Sequence, residues 1–134
     1  MLIALFLAAA AALVAWIIER RKPDPPARDA SPVPAQLDRS DFERPEAPWL
    51  VVLFSSASCE SCPAVAAKLP ALESEDVAVQ DVEWSTRRDL HERYRIDAVP
   101  LALVADDQGV VRAAFLGKVS AADLWSAVAD VRSG

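Results

Sequence analysis

The order of apolar and polar residues divides the chain into three parts. Residues 2–18 form an unbroken apolar run, and residues 23–37 are polar and contain five prolines. From residue 38 to 134, short apolar segments alternate with polar ones and end at turn residues, as in a globular domain. The pattern predicts an anchor with a basic end (1–22), an extended proline-rich linker (23–37) and one domain (38–134).

The domain pattern predicts an α/β fold. Residues 49–54 are continuously apolar and mostly β-branched or aromatic, which indicates a buried strand. Later segments alternate strand-like and helical spacing, and the sequence Asp-Asp-Gln-Gly at 106–109 predicts a hairpin turn. The predicted order is a short helix or turn at 38–44, strand 49–54, helix 62–72, strand 77–84, helix 86–94, strands 101–105 and 110–116, and helix 121–131. Ser85 and Ser120 are predicted to cap the N-termini of the last two helices. This order is typical of a mixed sheet flanked by helices.

The apolar N-terminal run predicts a retained transmembrane anchor. As a helix, residues 2–18 span about 26 Å, at the short end of what a bilayer core requires. Trp16 lies where an interfacial aromatic residue is expected, and the basic residues 20–22 follow the run. A cleaved signal peptide would have basic residues before the run instead. The positive-inside bias favours a single-pass membrane protein whose domain lies on the cytoplasmic face, with the extracytoplasmic face as the alternative.

Charge and composition exclude several functions. From residue 38 onward the chain has 10 basic and 17 acidic residues, a net charge of −7. This acidic balance argues against a nucleic-acid partner, because phosphate binding needs a basic face. The single histidine, His91, leaves little for a histidine-rich metal site or a serine triad.

The two cysteines of the chain carry the clearest chemical signal. Cys59 and Cys62 are three residues apart, where a strand is predicted to end and a helix to begin. A helix N-terminus stabilises a thiolate, so we expect Cys59 to attack a substrate disulfide and Cys62 to resolve the mixed disulfide. The neighbouring Glu60 opposes thiolate formation, which predicts a milder lowering of the thiol pKa and a more reducing couple. The alternatives are a zinc site, which lacks two further ligands, and a pair of inert buried cysteines.

Several motifs together resemble the thioredoxin family. They are the strand at 51–54, Cys59-Glu60-Ser61-Cys62, the segment 94–100 that ends in Val99-Pro100, the hairpin turn at 106–109, and Phe115-Leu116-Gly117. The resemblance covers residues 38–134. It implies a thioredoxin-like fold and a dithiol–disulfide oxidoreductase that needs no cofactor besides the redox-active Cys59–Cys62 pair. It also implies that Val99-Pro100 is a cis peptide that faces the cysteines and binds an extended peptide substrate.

The sequence departs from the family pattern around the cysteines. Ser58 stands where the family has an aromatic residue, and Leu53 stands where it has a buried acid. Counting from Pro100 places Asp81 on the neighbouring strand, where the family has a lysine. We therefore hypothesise that Asp81 helps to deprotonate Cys62 during resolution. The alternative is that Asp81 is a solvated strand residue.

Three further residues near these motifs have structural interpretations only. We expect Glu83 and His91 at the surface and Trp84 in the core. None of them is needed for the chemistry predicted from the cysteine pair.

Taken together, these features predict a membrane-tethered thiol–disulfide oxidoreductase that reduces protein disulfides. Its expected partners are protein or peptide disulfides, an electron donor that the sequence does not identify, and a membrane through residues 2–18, with no nucleic acid. One alternative is a thioredoxin-fold peptide-binding module with weak redox activity. Another is an envelope-facing thiol–disulfide protein that acts in cytochrome or envelope-protein maturation.

Overall fold

The computed structural model describes residues 1–20 and 33–134 of the chain. Most of the predicted linker, residues 23–32, lies outside the described residues. Contacts divide the described chain into an N-terminal unit, represented by one helix, and a second unit that contains the other described elements. Each unit is described by itself below.

The N-terminal unit contains helix α1 (Leu2–Arg20). Its alanine- and leucine-rich sequence has no glycine or proline, which explains the unbroken helix. Apolar side chains such as Ile3 and Phe6 are 78% and 75% exposed. Within residues 1–20 and 33–134, however, no helix is both long enough and apolar enough to cross a membrane. The predicted transmembrane helix therefore has no support from the structure; α1 continues past the apolar run to include two charged residues, Glu19 and Arg20.

The second unit is built on a four-stranded mixed sheet. Strand β1 pairs in parallel with β2 and antiparallel with β3, and β3 pairs antiparallel with β4, in the order β2-β1-β3-β4. The predicted α/β architecture is confirmed, and each strand ends within one residue of its predicted bounds. The strands are β1 (Trp49–Ser55), β2 (Val77–Glu83), β3 (Leu101–Ala105) and β4 (Val111–Leu116).

Strand β1 lies between two hydrophobic clusters and contributes residues to both. Leu50, Val52 and Phe54 face one cluster, whereas Val51 and Leu53 face the other, and all five are fully buried. Burial on both faces explains why the strand is continuously apolar in sequence instead of alternating. The position of the strand's C-terminal end is thereby determined by packing on both sides of the sheet.

Three helices cover the two faces of the sheet. Helix α3 (Arg88–Arg93) contributes Leu90 to the Phe54 cluster, whereas α2 (Cys62–Ala66) and α4 (Ala121–Ser133) contribute to the Leu53 cluster. The N-cap of α4 is confirmed, because the hydroxyl of Ser120 accepts a hydrogen bond from the N–H of Asp123 at 3.0 Å.

Helices α2 and α3 are shorter than predicted. Helix α2 ends at Ala66. The chain then continues, with backbone hydrogen bonds between residues three apart, into a 3₁₀ turn at Pro70–Leu72. Proline cannot continue the α-helical hydrogen-bond ladder, which explains why the predicted helix 62–72 is divided. Ser85 was predicted to cap α3, but that helix begins only at Arg88, after a hydrogen-bonded turn.

Residues 35–37, which the sequence assigns to the linker, bond to the β3–β4 hairpin. The N–H of Leu37 donates to the carbonyl of Gly109 at 2.8 Å, and Val111 donates to Ala35 at 3.0 Å. Gly109 has φ of +78°, and a Cβ atom there would lie 1.9 Å from the carbonyl oxygen of Leu37. Only glycine fits this turn. A 3₁₀ turn at Arg39–Asp41 follows, in the region predicted as a short helix or turn.

Candidate redox site

The two cysteines form a disulfide at the C-terminal end of β1. Cys59 lies in the loop between β1 and α2 and is partly exposed. Cys62 is the first residue of α2 and is only 3% exposed. Of the two cysteines, Cys59 is therefore the one that a large substrate can approach.

The loop that carries Cys59 is held by short-range hydrogen bonds. The N–H of Cys59 donates to the carbonyl of Ser56 at 3.1 Å, and the hydroxyls of Ser56 and Ser58 lie 3.0 Å apart. The hydroxyl of Ser61 lies 3.7 Å from the sulfur of Cys59. Ser61 is thus placed to donate a hydrogen bond to this sulfur when it is a thiolate, which favours the charged form.

Helix α2 contributes less to the site than the sequence predicts. It has five residues, so its dipole is that of little more than one turn. Pro63 lies in the first turn, where its missing N–H leaves no helical carbonyl without a partner. The dipole of α2 therefore stabilises a negative charge near Cys59 less than that of the predicted helix 62–72 would.

A groove beside Cys59 is also lined by Val99, which lies two residues before the start of β3. The Val99–Pro100 peptide bond is cis, as the resemblance implies. Val99 lines the groove together with Cys59, and Pro100 is buried behind it. The groove has a volume of about 740 Å³ and is lined by Ser58, Cys59, Glu60, Ser61, Val99 and Lys118. The structure therefore brings the first cysteine and the cis peptide to one open groove.

A smaller cavity lies on the side of Cys62. It has a volume of about 150 Å³, and its lining includes Cys62, Ser55, Asp81 and Glu83. The side chain of Ser55 donates a hydrogen bond of 2.5 Å to Asp81, which pairs in register with the buried Leu53. Asp81 is an exposed residue overall, yet its carboxylate shares this cavity with the second cysteine.

Glu83 connects two loops of the site, although the sequence suggested an ordinary surface residue. Its Oε1 accepts a hydrogen bond from the N–H of Ala57 at 3.0 Å, in the loop that leads to Cys59. Its Oε2 accepts from the N–H and hydroxyl groups of Ser85 and Thr86. The hydroxyl of Ser85, then its N–H and that of Ala57, lower the pKa of Glu83 to about 2. The serine and threonine that follow Glu83 were the only sequence signal for this role.

His91 is buried, not exposed as the sequence predicted. It is 2% exposed, and its Nε2–H donates to the carbonyl of Val82 at 2.8 Å. Its ring packs edge-on against Phe54 and Trp84, with centroids 5.1 and 5.2 Å away. The three-residue spacing from His91 to Tyr94, the residue after α3, places both on the same face of this helical segment. This spacing was the sequence signal for the burial of His91.

Trp84 is half-buried rather than a core residue. The guanidinium of Arg88 lies 5.0 Å from the centre of its ring. Together with Ser58, His91 and Val99, Trp84 lines a cavity of about 420 Å³ next to the Cys59 loop. An aromatic surface is therefore present near Ser58, but it is supplied from the end of β2.

Comparisons with known proteins identify the fold. Neither a family model nor a curated protein matches the chain. Among solved structures, chloroplastic thioredoxin z is 20% identical with a TM-score of 0.57, covering 65% of this chain and 80% of that one. Mitochondrial thioredoxin 3 from Saccharomyces cerevisiae is also 20% identical, with a TM-score of 0.53 and coverage of 63% and 80%.

A third similar structure concerns a yeast mitochondrial 1-Cys peroxiredoxin and its thiol resolving mechanism. It is 18% identical with a TM-score of 0.55, covering 69% of this chain and 85% of that one. The second unit therefore has the thioredoxin-like fold.

Within residues 1–20 and 33–134, no group of three or more His, Cys, Asp or Glu side chains is arranged to hold a metal ion.

The hydrogen bonds of Glu83 predict an acid-dependent stability. Because its pKa is about 2 in the folded protein and near 4.5 otherwise, Glu83 stabilises the fold above pH 4.5. That stabilisation is lost as the pH falls from about 4.5 to 2. We expect Glu83→Gln to lower the urea midpoint at pH 7 and to reduce its decline between pH 5 and pH 3.

The matched control is Glu75→Gln, because the exposed Glu75 side chain has no hydrogen-bond partner among the described residues. Urea unfolding of both variants and the wild type, followed by fluorescence, measures the effect. Parallel pH curves for the wild type and Glu83→Gln would contradict the role of Glu83.

Proposed function

We propose that this protein is a thiol–disulfide oxidoreductase that reduces protein disulfides. The observation that carries the proposal is the asymmetry of the cysteine pair. Cys59 is partly exposed in an open groove with Val99, whereas Cys62 is buried directly behind it. An exposed attacking thiol with a protected resolving thiol is the arrangement that disulfide exchange requires.

The reaction proceeds in two exchange steps. The Cys59 thiolate attacks one sulfur of the substrate disulfide, a mixed disulfide forms, and the other substrate sulfur leaves as a thiolate. The Cys62 thiolate then attacks the Cys59 sulfur, which forms the Cys59–Cys62 disulfide seen in the structure and releases the second substrate thiolate. The substrate gains two electrons, and a dithiol donor must later return two electrons to the cysteine pair.

The groove beside the cis peptide is the proposed substrate site. Val99 lines it, and Pro100 begins the segment that leads into β3 without an N–H of its own. The N–H and carbonyl of Val99 have no hydrogen-bond partner among the described residues, so they can pair with an extended peptide. Val99 and Pro100 are therefore the proposed substrate-binding residues, and they position the substrate disulfide over Cys59.

Asp81 is the proposed proton acceptor for Cys62. The family's buried acid is replaced by Leu53, but the carboxylate of Asp81 lies one strand away and opens to the Cys62 cavity. That cavity, at about 150 Å³, is large enough to hold a water molecule that relays the proton. Asp81 therefore acts on the resolution step and not on the attack by Cys59.

A peptide-binding module with weak redox activity is the second candidate. It is favoured by Ser58 and Leu53, which replace the aromatic and acidic residues expected beside the cysteines. Trp84 and Asp81 lie near these two positions and favour the enzyme instead. The two candidates differ in whether the wild type turns over a disulfide.

Substitution of each cysteine by serine distinguishes the oxidoreductase from the peptide-binding module. We expect the wild type to reduce insulin disulfides with a dithiol donor, and Cys59→Ser to fall to the uncatalysed rate. Cys62→Ser retains the attacking thiol, so it accumulates a mixed disulfide that mass spectrometry detects. A wild type that binds peptides but reduces no disulfide would establish the binding module.

Asp81→Asn tests the proton acceptor. We expect it to slow resolution of a preformed Cys59 mixed disulfide at pH 7 by about tenfold or more, and to leave the rate of its formation unchanged. The measurement is the release of the second thiol as a function of pH. The matched control is Asp130→Asn, which makes the same substitution near the C-terminal end of α4. If the pH profile of release is the same in Asp81→Asn and the wild type, Asp81 has no such role.

Attachment to a membrane through residues 2–18 stays a prediction of the sequence. In its support, the apolar side chains Ile3, Leu5, Phe6 and Leu7 of α1 are at least 65% exposed. An apolar helix surface of this kind needs a partner that removes it from water. The domain is then expected on the cytoplasmic face; an envelope-facing domain that acts in cytochrome or envelope-protein maturation is the alternative.

Cell fractionation tests the attachment. We expect the full chain to remain with membranes after an alkaline wash, whereas a chain without residues 2–18 is released. A thiol reagent that cannot cross membranes should label Cys59 only after lysis if the domain faces the cytoplasm. Recovery of the full chain in the released fraction would exclude the attachment.

A further inference from the structure

Lys118 lies in the same groove as Cys59, on the loop between β4 and α4. Both of its neighbours are anchored. The N–H of Gly117 donates to the carbonyl of Pro100 at 2.8 Å, and the ammonium of Lys68 donates to the carbonyl of Val119 at 2.6 Å. Val119 is also buried, at 5% exposure. The backbone of Lys118 is therefore held at two fixed points while its side chain is exposed at the groove.

The charge of Lys118 is not used within the domain. The domain has ten basic residues, and eight of them bond to a carboxylate or a backbone carbonyl: Arg39, Arg44, Lys68, Arg87, Arg88, Arg93, Arg112 and Arg132. Among the residues that the structure describes, the other two, Arg95 and Lys118, have no such partner, and of these two it is Lys118 that lines the groove. An unpaired ammonium in the same groove as the attacking cysteine, in a domain of net charge −7, is free to bind a substrate group.

Glu60 places the opposite charge in the same groove. It is exposed and follows Cys59 directly, and it forms no ion pair with Lys118 among the contacts of the described residues. The two charges therefore do not neutralise each other by contact. They lie on different loops, so each is available to a different part of a bound peptide.

We propose that Lys118 makes the groove select disulfides that have an acidic side chain next to the attacked cysteine. The inference rests on the proposed function and adds a substrate class to it. A substrate carboxylate near Lys118 forms an ion pair while the Cys59 thiolate displaces the neighbouring sulfur. Glu60 weakens this preference by repelling the same carboxylate.

Recognition of this kind differs from activation of the cysteine. If Lys118 acted only by stabilising the Cys59 thiolate, its removal would change the rates for all substrates by the same factor. If it recognises a substrate carboxylate, its removal changes the acidic substrate selectively. The comparison of substrates therefore separates the two roles.

The experiment uses the full chain with Cys62→Ser, in which attack by Cys59 ends in a stable mixed disulfide. Three disulfide peptides of the same length carry Glu, Gln or Lys next to the cysteine, and the rate of mixed-disulfide formation is measured at low salt. We expect the Glu peptide to react about two- to fivefold faster than the Gln peptide, the range of an exposed ion pair. The Lys peptide should react more slowly than either.

Further substitutions test whether Lys118 causes the preference for the Glu peptide. Lys118→Gln should abolish the preference and Lys118→Glu should reverse it, whereas Glu60→Gln should increase it. Arg132→Gln, which removes the same charge near the opposite end of the sheet, should leave the preference intact. At about 1 M salt, where the Debye length is about 3 Å, the preference should largely disappear.

Each other outcome overturns the inference. Equal rates for the three peptides in the Cys62→Ser protein, or an equal loss for all three in Lys118→Gln, exclude recognition by Lys118 and leave the proposed function intact. If no peptide forms a mixed disulfide, the proposed function fails together with the inference.

Discussion

The burial of β1 on both faces is the constraint on which the rest of the structure depends. Leu50, Val52 and Phe54 belong to one cluster and Val51 and Leu53 to the other, so a slip of one residue would exchange every side chain between the two cores. The register of the strand is therefore strictly determined. The loop with Cys59 begins where that register ends, and its position follows from the packing of the strand.

The pairing of β1 decides which other residues surround the two sulfurs. Parallel pairing with β2 aligns the C-terminal ends of the two strands, so that Asp81 and Glu83 lie beside Ser55 and the loop toward Cys59. Antiparallel pairing with β3 brings the start of that strand to the same edge, and with it the cis peptide at Pro100. Three segments that are far apart in sequence thereby meet at one edge of the sheet.

An aromatic residue and a carboxylate lie near the cysteines, but not at the sequence positions that the resemblance implies. Trp84 provides an aromatic surface near Ser58, and Asp81 provides a carboxylate one strand away from Leu53. Helix α2, with only five residues, is shorter than the predicted helix 62–72, and the hydroxyl of Ser61 lies 3.7 Å from the sulfur of Cys59. The fold is thioredoxin-like, whereas the side chains near the cysteines differ from the pattern that the resemblance implies.

The sequence alone was sufficient for the four strands, the hairpin turn, the cap of α4 and the cysteine pair. Each of these depends on neighbours within a few residues, and such local patterns can be read directly from the chain. It was insufficient for the burial of His91, the hydrogen bonds of Glu83 and the position of Lys118. Those features depend on contacts such as Glu83 with Ala57 and Lys68 with Val119, which join segments 26 and 51 residues apart. Only the tertiary structure decides such contacts, because the packing of the sheet, and not local periodicity, determines which distant residues become neighbours.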